Sequence, residues 1–203
     1  MGTRDYLANR TPVPRGTVTQ LFFRAVDRYG AKAAFRTIVG EGFEEISFSG
    51  VLPLVRAIAG GLSSLGLKRG HRVAMLSGNR TEWSLTDYGA LCSGIPLVPV
   101  HTTLTPTQIR YILHDSEAKA LFVSDSEQLQ KAREAIRTLE EPPALIVFDS
   151  PDEMPEGVLR WDEFLQRGRR KAEESSVEAF RKEALAAQPD DTATILYTSG
   201  TTG

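Results

Sequence analysis

The chain has 203 residues, of which 41% are hydrophobic and 25% are charged, and its formal net charge is −2. This composition is ordinary for a globular protein, and the near-neutral charge leaves no basic footprint for nucleic acid. The single cysteine, Cys92, cannot form an internal disulfide, which suits a reducing compartment. The N-terminus shows no secretory signal, and no stretch approaches the ~20 apolar residues of a membrane helix, so we expect a cytoplasmic protein.

The N-terminal part of the chain predicts a helix followed by a β-hairpin. The helix begins with a capping-box pattern, Thr17 and Gln20, and ends at Gly30. Residues 35–38 and 45–48 flank a Gly-Glu-Gly turn and predict the two strands of the hairpin. The apolar stripe that we expect to bury this helix consists of Val18, Leu21, Phe22, Ala25 and Tyr29.

A second helix carries the most regular apolar pattern of the chain. Ser49 stands near its N-cap, and Gly66 follows its end. Pro53 falls in the predicted first turn, where its ring is tolerated. The apolar positions of this helix are Val51, Leu54, Val55, Ile58, Leu62 and Leu65.

Beyond this helix, strands and helices alternate along the chain. We expect strands at residues 72–76, 119–123 and 144–148, and a strand edge or an extended segment at 96–100. We expect three helices between these strands. The first covers residues 79–93, the second begins at the Thr105–Gln108 capping box, and the third runs from Ser124 to Leu139. This alternation predicts an α/β fold, in which a layered, parallel-rich sheet has helices on both faces.

The next stretch is rich in charged residues. We expect a loop at residues 150–158, a short helix at 161–165, a charged helix at 169–187 and a turn at 188–191. The basic cluster at residues 167–171 leaves open a peripheral contact with anionic lipid. Glu173 and Glu174 follow this cluster at once, so a solvated helical face is the favoured interpretation.

The last twelve residues change character abruptly. Ile195, Leu196 and Tyr197 belong to an apolar, β-branched run that predicts a buried strand. The hexapeptide at 198–203 is rich in hydroxyls, contains two glycines, and predicts a turn. Its glycines allow close backbone approach, and its successive N–H groups and hydroxyls can point at one phosphate. Its glycine spacing fits neither the Walker loop nor the Rossmann fingerprint.

Residues 195–203 resemble, position by position, the Tyr-Thr-Ser-Gly-Thr-Thr-Gly signature of the AMP-forming adenylating enzymes, which include acyl-CoA synthetases and luciferases. Blocks at residues 65–79, 89–99 and 111–118 are also similar to family segments, although Gly94-Ile-Pro stands where relatives usually have Gly-Ala. The resemblance covers residues 17–203 and leaves residues 1–16 as an N-terminal extension. Within the family, the chain is most similar to long-chain fatty acyl-CoA synthetases.

The resemblance implies the N-terminal portion of the large domain of an adenylate-forming enzyme, ending within its phosphate loop. The implied activity is that of a fatty acid–CoA ligase, which uses ATP and Mg²⁺ to make acyl-AMP and then transfers the acyl group to CoA. The implied ligands of the ATP phosphates are Thr198, Ser199, Gly200, Thr201, Thr202 and Gly203. No catalytic residue and no metal ligand is assigned within the chain, and the isolated chain is expected to be inactive.

Other interpretations stay open. The chain could be a phosphate-binding module without chemistry, an interaction domain of the same fold, or part of an enzyme that adenylates another carboxylate. The expected partners are a small-molecule carboxylate, ATP and CoA, with no nucleic acid, and the sequence sets no oligomeric state.

The remaining chemical side chains favour structural roles. The three histidines are too scattered for a local metal motif, and Cys92 suits a buried, small apolar position. Glu82 and Asp87 fit a solvated helix face. Trp83 and Trp161 fit anchors in the core or at an interface.

Overall fold

The computed structural model describes residues 16–198. Its elements are α1 Val18–Tyr29, β1 Ala33–Val39, β2 Gly42–Ser47, α2 Phe48–Ser64, β3 Arg72–Leu76, α3 Thr81–Cys92, β4 Leu97–Val100, α4 Pro106–Ser116, β5 Ala118–Val123, α5 Ser126–Ile136, β6 Ala144–Val147, β7 Val158–Arg160, α6 Trp161–Ala172 and α7 Val177–Ala184. β1 and β2 pair as the predicted antiparallel hairpin. Both predicted capping boxes, Thr17 with Gln20 and Thr105 with Gln108, are formed.

The other five strands form a parallel sheet in the order β4-β3-β5-β6-β7. The chain steps from β3 outward to β4 and then returns past β3 to β5, so the strand order reverses between β3 and β5. In open sheets with such a reversal, ligands bind beyond the carboxyl ends of the strands. The predicted α/β fold with a parallel sheet is confirmed.

Helices cover both faces of this sheet, as predicted. Along β3, Val73 and Met75 belong to one core, to which α1, α2, α3, α6 and α7 contribute. Ala74 and Leu76 belong to a second core on the opposite face, to which α4 and α5 contribute. A parallel strand between two helical layers is expected to be buried on both faces in this way.

α2 and α6 cross at close range within the first core. A Cβ atom added to Gly168 would overlap the carbonyl oxygen of Ala57. The neighbouring Phe164 ring is fully buried and lies 5.3 Å from the Phe122 ring of β5, nearly perpendicular to it. Because the helix backbones touch and the surrounding core is densely packed, this crossing leaves no room for a side chain at residue 168.

The buried face of α1 differs from the predicted stripe. Phe22 and Phe23 are both buried, whereas Val18, at the start of the predicted stripe, is 43% exposed. The Phe22 ring stacks on the Tyr88 ring of α3 at 4.8 Å, and Phe23 meets the Phe180 ring of α7 edge-on. These distant aromatic partners, rather than the periodicity of α1 alone, determine which side of the helix faces inward.

The start of α2 also differs from the prediction. Its N-cap is Ser47, whose hydroxyl accepts a backbone hydrogen bond at 3.1 Å from Gly50, and Ser49 lies in the first turn, two residues after the cap. β2 runs directly into the helix, and Pro53 therefore lies in the second turn rather than the first.

α5 begins one residue later than predicted. Asp125 is the N-cap, and its carboxylate accepts a hydrogen bond from the Gln128 N–H at 3.0 Å. The predicted cap, Ser124, instead donates its hydroxyl to the Asp125 carboxylate at 2.6 Å. The helix ends at Ile136, before the predicted end at Leu139.

The charged C-terminal region is divided differently from the prediction. The loop predicted at residues 150–158 ends one residue early, because Val158 begins β7, which runs to Arg160 and pairs with β6. The short helix predicted at 161–165 continues to Ala172, because Phe164, Leu165 and Gly168 all face the core. The predicted helix at 169–187 is reduced to α7, which Ser176 caps.

Candidate functional site

The segment that leads to the phosphate-loop motif docks against the outer edge of β4. The Leu97 N–H donates to the Ala193 carbonyl at 3.2 Å, and the Ile195 N–H donates to the Leu97 carbonyl at 3.0 Å. The Thr194 hydroxyl donates to the same Leu97 carbonyl at 2.9 Å. These contacts form one parallel bridge, so at Thr194 the segment runs in the direction of β4, toward the carboxyl edge of the sheet.

The buried strand predicted through Ile195, Leu196 and Tyr197 is wrong. The pairing stops after the bridge at Thr194, and Leu196 is 67% exposed. In a parallel ladder the next bond along β4 would run from the N–H of residue 99 to the carbonyl of Ile195. Residue 99 is a proline and has no N–H, so the ladder cannot continue at that step.

Tyr197 attaches the segment to α4 instead of the sheet. Its hydroxyl donates to the Asp115 carboxylate at 2.6 Å. Its ring meets the ring of Tyr111, one turn earlier on α4, edge-on at 6.3 Å. Burial, followed by the hydrogen bond to Asp115, raises the pKa of Tyr197 to about 12, so the hydroxyl keeps its proton at neutral pH.

An ion pair and a tight turn fix the start of the segment. Arg69 donates to the Asp191 carboxylate at 3.2 Å, and the same carboxylate accepts the Gln188 N–H at 2.9 Å. The Arg69 guanidinium lies 2.8 Å from where a Cβ of Gly94 would stand, and Gly94 has a φ of +66°. The positive φ favours glycine at residue 94.

A cleft of about 710 Å³ lies between the start of α1, the amino ends of β3 and β4, and residues 187–197. Arg72 lines this cleft, but its guanidinium is engaged by the Ser116 carbonyl at 2.6 Å and the Glu117 carboxylate at 2.7 Å. The cleft lies at the amino edge of the sheet, and there Arg72 connects the start of β3 to the end of α4.

Arg80 joins the carboxyl ends of β3, β5 and β6. Its guanidinium donates two hydrogen bonds of 2.8 Å to Asp149, one of 3.3 Å to the Ser124 carbonyl and one of 2.8 Å to Glu82. It also stands 5.0 Å from the centre of the Phe148 ring. Hydrogen bonding to Asp149 raises the pKa of Arg80. Arg80 was not predicted from the sequence, although its position in the turn between a buried strand and a helix could have indicated it.

The predicted phosphate ligands fall at and beyond the end of the described residues. Thr198 is exposed and follows the docked segment directly. Ser199, Gly200, Thr201, Thr202 and Gly203 lie outside the described residues. The role of all six as phosphate ligands stays a prediction.

Asp87 was expected on a solvated helix face, and this expectation is wrong. The residue is half-buried in α3, and burial raises the pKa of its carboxyl to about 6. Glu82 is also half-buried and pairs with Arg80 at 2.8 Å. The two carboxylates therefore have different environments and do not form a catalytic pair.

The other side chains considered for chemistry occupy structural positions. Cys92 is buried, and burial raises the pKa of its thiol to about 12, which leaves it a poor nucleophile. Trp83 and Trp161 pack against the first core, as expected of anchors. Among residues 16–198, no three His, Cys, Asp or Glu side chains are grouped so that they could hold a metal ion.

The basic cluster at residues 167–171 is partly neutralised within its own helix region. Arg167 pairs with Glu163 and Lys171 pairs with Glu174. These pairs agree with the solvated face favoured from the sequence. In the part of the chain that the structure describes, the helices are too short or too polar to cross a membrane.

Comparison with known proteins places this arrangement in a family. The profile described as AMP-binding enzyme matches residues 22–203. The long-chain-fatty-acid–CoA ligase ACSBG1 of Rattus norvegicus is 31% identical over 188 residues, which are 92% of this chain and 26% of that protein. The long-chain-fatty-acid–CoA ligase ACSBG2 of Xenopus laevis is 31% identical over 193 residues, which are 94% of this chain and 25% of that protein.

A solved structure shows the same fold. The inhibitor-bound N-terminal domain of FACL13 from Mycobacterium tuberculosis matches with a TM-score of 0.66 and 25% identity, over 93% of this chain and 42% of that one. The chain spans about a quarter of the length of the curated relatives it matches.

Proposed function

Because this chain belongs to the AMP-binding enzyme family, we propose that it is part of an ATP-dependent acyl-CoA synthetase for fatty, long-chain carboxylates. The observation that carries the proposal is the family match, which runs to residue 203 and so includes the hydroxyl-rich residues 198–203. The relatives named as long-chain-fatty-acid–CoA ligases support the choice of substrate. Since the chain spans about a quarter of their length, the activity is proposed for the full-length protein that contains it.

The proposed reaction has two steps. A carboxylate oxygen attacks the α-phosphorus of ATP, and the bond to the bridging oxygen breaks, which releases pyrophosphate and leaves acyl-AMP. The CoA sulfur then attacks the acyl carbon, loses its proton, and displaces AMP. Adenylation is needed because a free carboxylate has a poor leaving group, whereas AMP leaves readily.

The chain's own contribution is to hold the departing phosphates. Backbone N–H groups and hydroxyls of residues 198–203 would bind the β- and γ-phosphates, where negative charge develops as the α-phosphorus bond breaks. Thr201 and Thr202 are the proposed side-chain donors. The parallel docking of Thr194 on β4 supports this role, because it starts the loop in the direction of the sheet's carboxyl edge.

Mg²⁺ accompanies ATP in the proposal. Among residues 16–198, no three His, Cys, Asp or Glu side chains are grouped so that they could hold a metal ion by themselves. We therefore assign no step of the reaction to a metal held by this part of the chain. We also propose a cytoplasmic location, supported by the lone, buried Cys92.

The test is product formation by the full-length protein. It is incubated with ATP, Mg²⁺, CoA and a panel of short, medium, long-chain and aromatic carboxylates, and the acyl-CoA products are identified by mass spectrometry. We expect thioesters of the long-chain fatty acids. Thioesters of another carboxylate class alone would correct the substrate, and ATP binding without any acyl-AMP or thioester would favour a module without chemistry.

A further inference from the structure

The segment before the phosphate loop is held by two contacts from different parts of the fold. One is the backbone bridge between Thr194 and Leu97 at the sheet edge. The other is the 2.6 Å hydrogen bond from the Tyr197 hydroxyl to the Asp115 carboxylate at the end of α4. Thr198, the first residue of the loop, follows Tyr197 directly. The second contact is therefore the last described attachment before the loop.

We propose that Asp115 is a positioning residue, which sets the starting point of the phosphate loop through its hydrogen bond to Tyr197. The inference rests on the proposed function, since it concerns how the same loop is placed for phosphate binding. Asp115 is not proposed to touch the substrate. It acts on the loop only through the tyrosine.

The sheet edge cannot do this positioning by itself. Pro99 stands where the next ladder donor would be, so the bond to the Ile195 carbonyl cannot form and the backbone leaves β4 after the Ile195 N–H. Leu196 points largely into solvent and contributes little packing. Tyr197 thus restores, through a side chain, the attachment that the proline removes from the backbone.

The contact is suited to fixing a position rather than merely covering surface. A hydroxyl that donates to an ionised carboxylate makes a short, charge-assisted hydrogen bond with a defined direction. The edge-on contact with Tyr111 limits the rotation of the Tyr197 ring, because it presses the ring against α4. α4 itself is fixed by the Thr105 capping box and by Ile109, Ile112 and Leu113 in the second core.

The expected effect is on ATP use rather than on folding. Misplacing a binding group by about 1 Å lowers reaction rates by as much as ~100-fold. We therefore expect Tyr197→Phe, which keeps the ring and removes the donor, to lower kcat/KM for ATP on the order of tenfold or more in the full-length protein. Asp115→Ala should have the same effect, and the double variant should be no worse than either single one. Asp115→Asn keeps an acceptor oxygen and should recover most of the activity.

Tyr111→Phe is the matched control, because it removes a hydroxyl from the neighbouring ring on α4 and leaves the Tyr197–Asp115 bond intact. It should behave as wild type. Pyrophosphate exchange into ATP is measured for each variant at several ATP concentrations, together with its melting temperature. Hydrogen exchange of residues 194–198 is measured in parallel, and Tyr197→Phe should accelerate it.

Wild-type exchange kinetics in Tyr197→Phe and Asp115→Ala would overturn the inference. The inference would also be overturned if the reductions in kcat/KM of the two single variants multiplied in the double variant. It would be overturned as well if Asp115→Asn failed to restore activity and the activity losses followed the losses in melting temperature. If the wild-type protein catalyses no exchange with any carboxylate, the proposed function fails instead. In that case unchanged hydrogen exchange at residues 194–198 in Tyr197→Phe would overturn the attachment as well.

Discussion

The guanidinium of Arg80 donates two hydrogen bonds of 2.8 Å to the carboxylate of Asp149 and thereby connects the turn after β3 to the end of β6. The same guanidinium reaches the carbonyl that follows β5. Three neighbouring strand ends are therefore locked together at the carboxyl edge of the sheet, which is the edge where ligands bind in folds of this topology.

Arg80→Ala should lower the free energy of unfolding by about 1–2 kcal/mol, because it removes charge-assisted hydrogen bonds whose carboxylate partner is itself largely exposed. The measurement is urea denaturation of the chain. Arg24→Ala is the control, since Arg24 is an exposed arginine of α1 with no ion pair in the described range 16–198. Equal unfolding free energies for the two variants would contradict the role given to Arg80.

Gly168→Ala should destabilise the chain by about 1–3 kcal/mol, because the added methyl group overlaps the Ala57 carbonyl and must push α2 and α6 apart. Gly78→Ala is the matched control, since a Cβ at residue 78 meets no atom within 4 Å. Thermal unfolding of both variants distinguishes them. An unchanged melting temperature for Gly168→Ala would show that the helices do not cross as closely as described.

Pro99→Val should lengthen the pairing between the motif segment and β4. The new N–H can donate to the Ile195 carbonyl, and the N–H of Tyr197 can then pair with the carbonyl of residue 99. We expect slower hydrogen exchange at Tyr197, measured by NMR or mass spectrometry. Pro142→Val, at an exposed position before β6, is the control. No change in the exchange of residues 195–197 would mean that something other than the missing N–H ends the strand.

Asp87 should make stability depend on pH in a direction opposite to that of a salt-bridged carboxylate. Its pKa is raised from 3.8 to about 6 in the folded chain, so the folded state holds this proton more tightly than the unfolded state. Its stabilising contribution is thus complete below pH ~4 and is lost as the pH rises through ~6.

Asp87→Asn should accordingly gain stability over wild type at pH 7, on the order of 2 kcal/mol, and little at pH 4. Urea denaturation of both proteins at the two pH values gives the difference. Asp152→Asn, at an exposed loop position, should show no such change between the two pH values. A gain from Asp87→Asn that is equal at pH 4 and pH 7 would rule out burial of the charge as its cause.

Features set by neighbouring residues were predictable from the sequence, whereas features set across the fold were not. The capping boxes at Thr17 and Thr105 follow from residues three positions apart, and alternating strands and helices sufficed for the parallel sheet. The buried face of α1 depends instead on Tyr88, far along the chain. At the site, the hydroxyl-rich loop is a local pattern. The path of the segment before it depends on Pro99, which stops the pairing with β4, and on Asp115, which accepts the Tyr197 hydroxyl, and only the folded structure brings these residues near.

Residues 198–203 are proposed to bind the phosphates of ATP during adenylation. The decisive measurement is pyrophosphate exchange into ATP, driven by a long-chain fatty acid, in the full-length protein and its Thr201→Ala and Thr202→Ala variants. Each variant should lose ~2 kcal/mol or more of transition-state stabilisation while its melting temperature stays at the wild-type value. Wild-type exchange rates in both variants would mean that Thr201 and Thr202 do not bind the phosphates during adenylation.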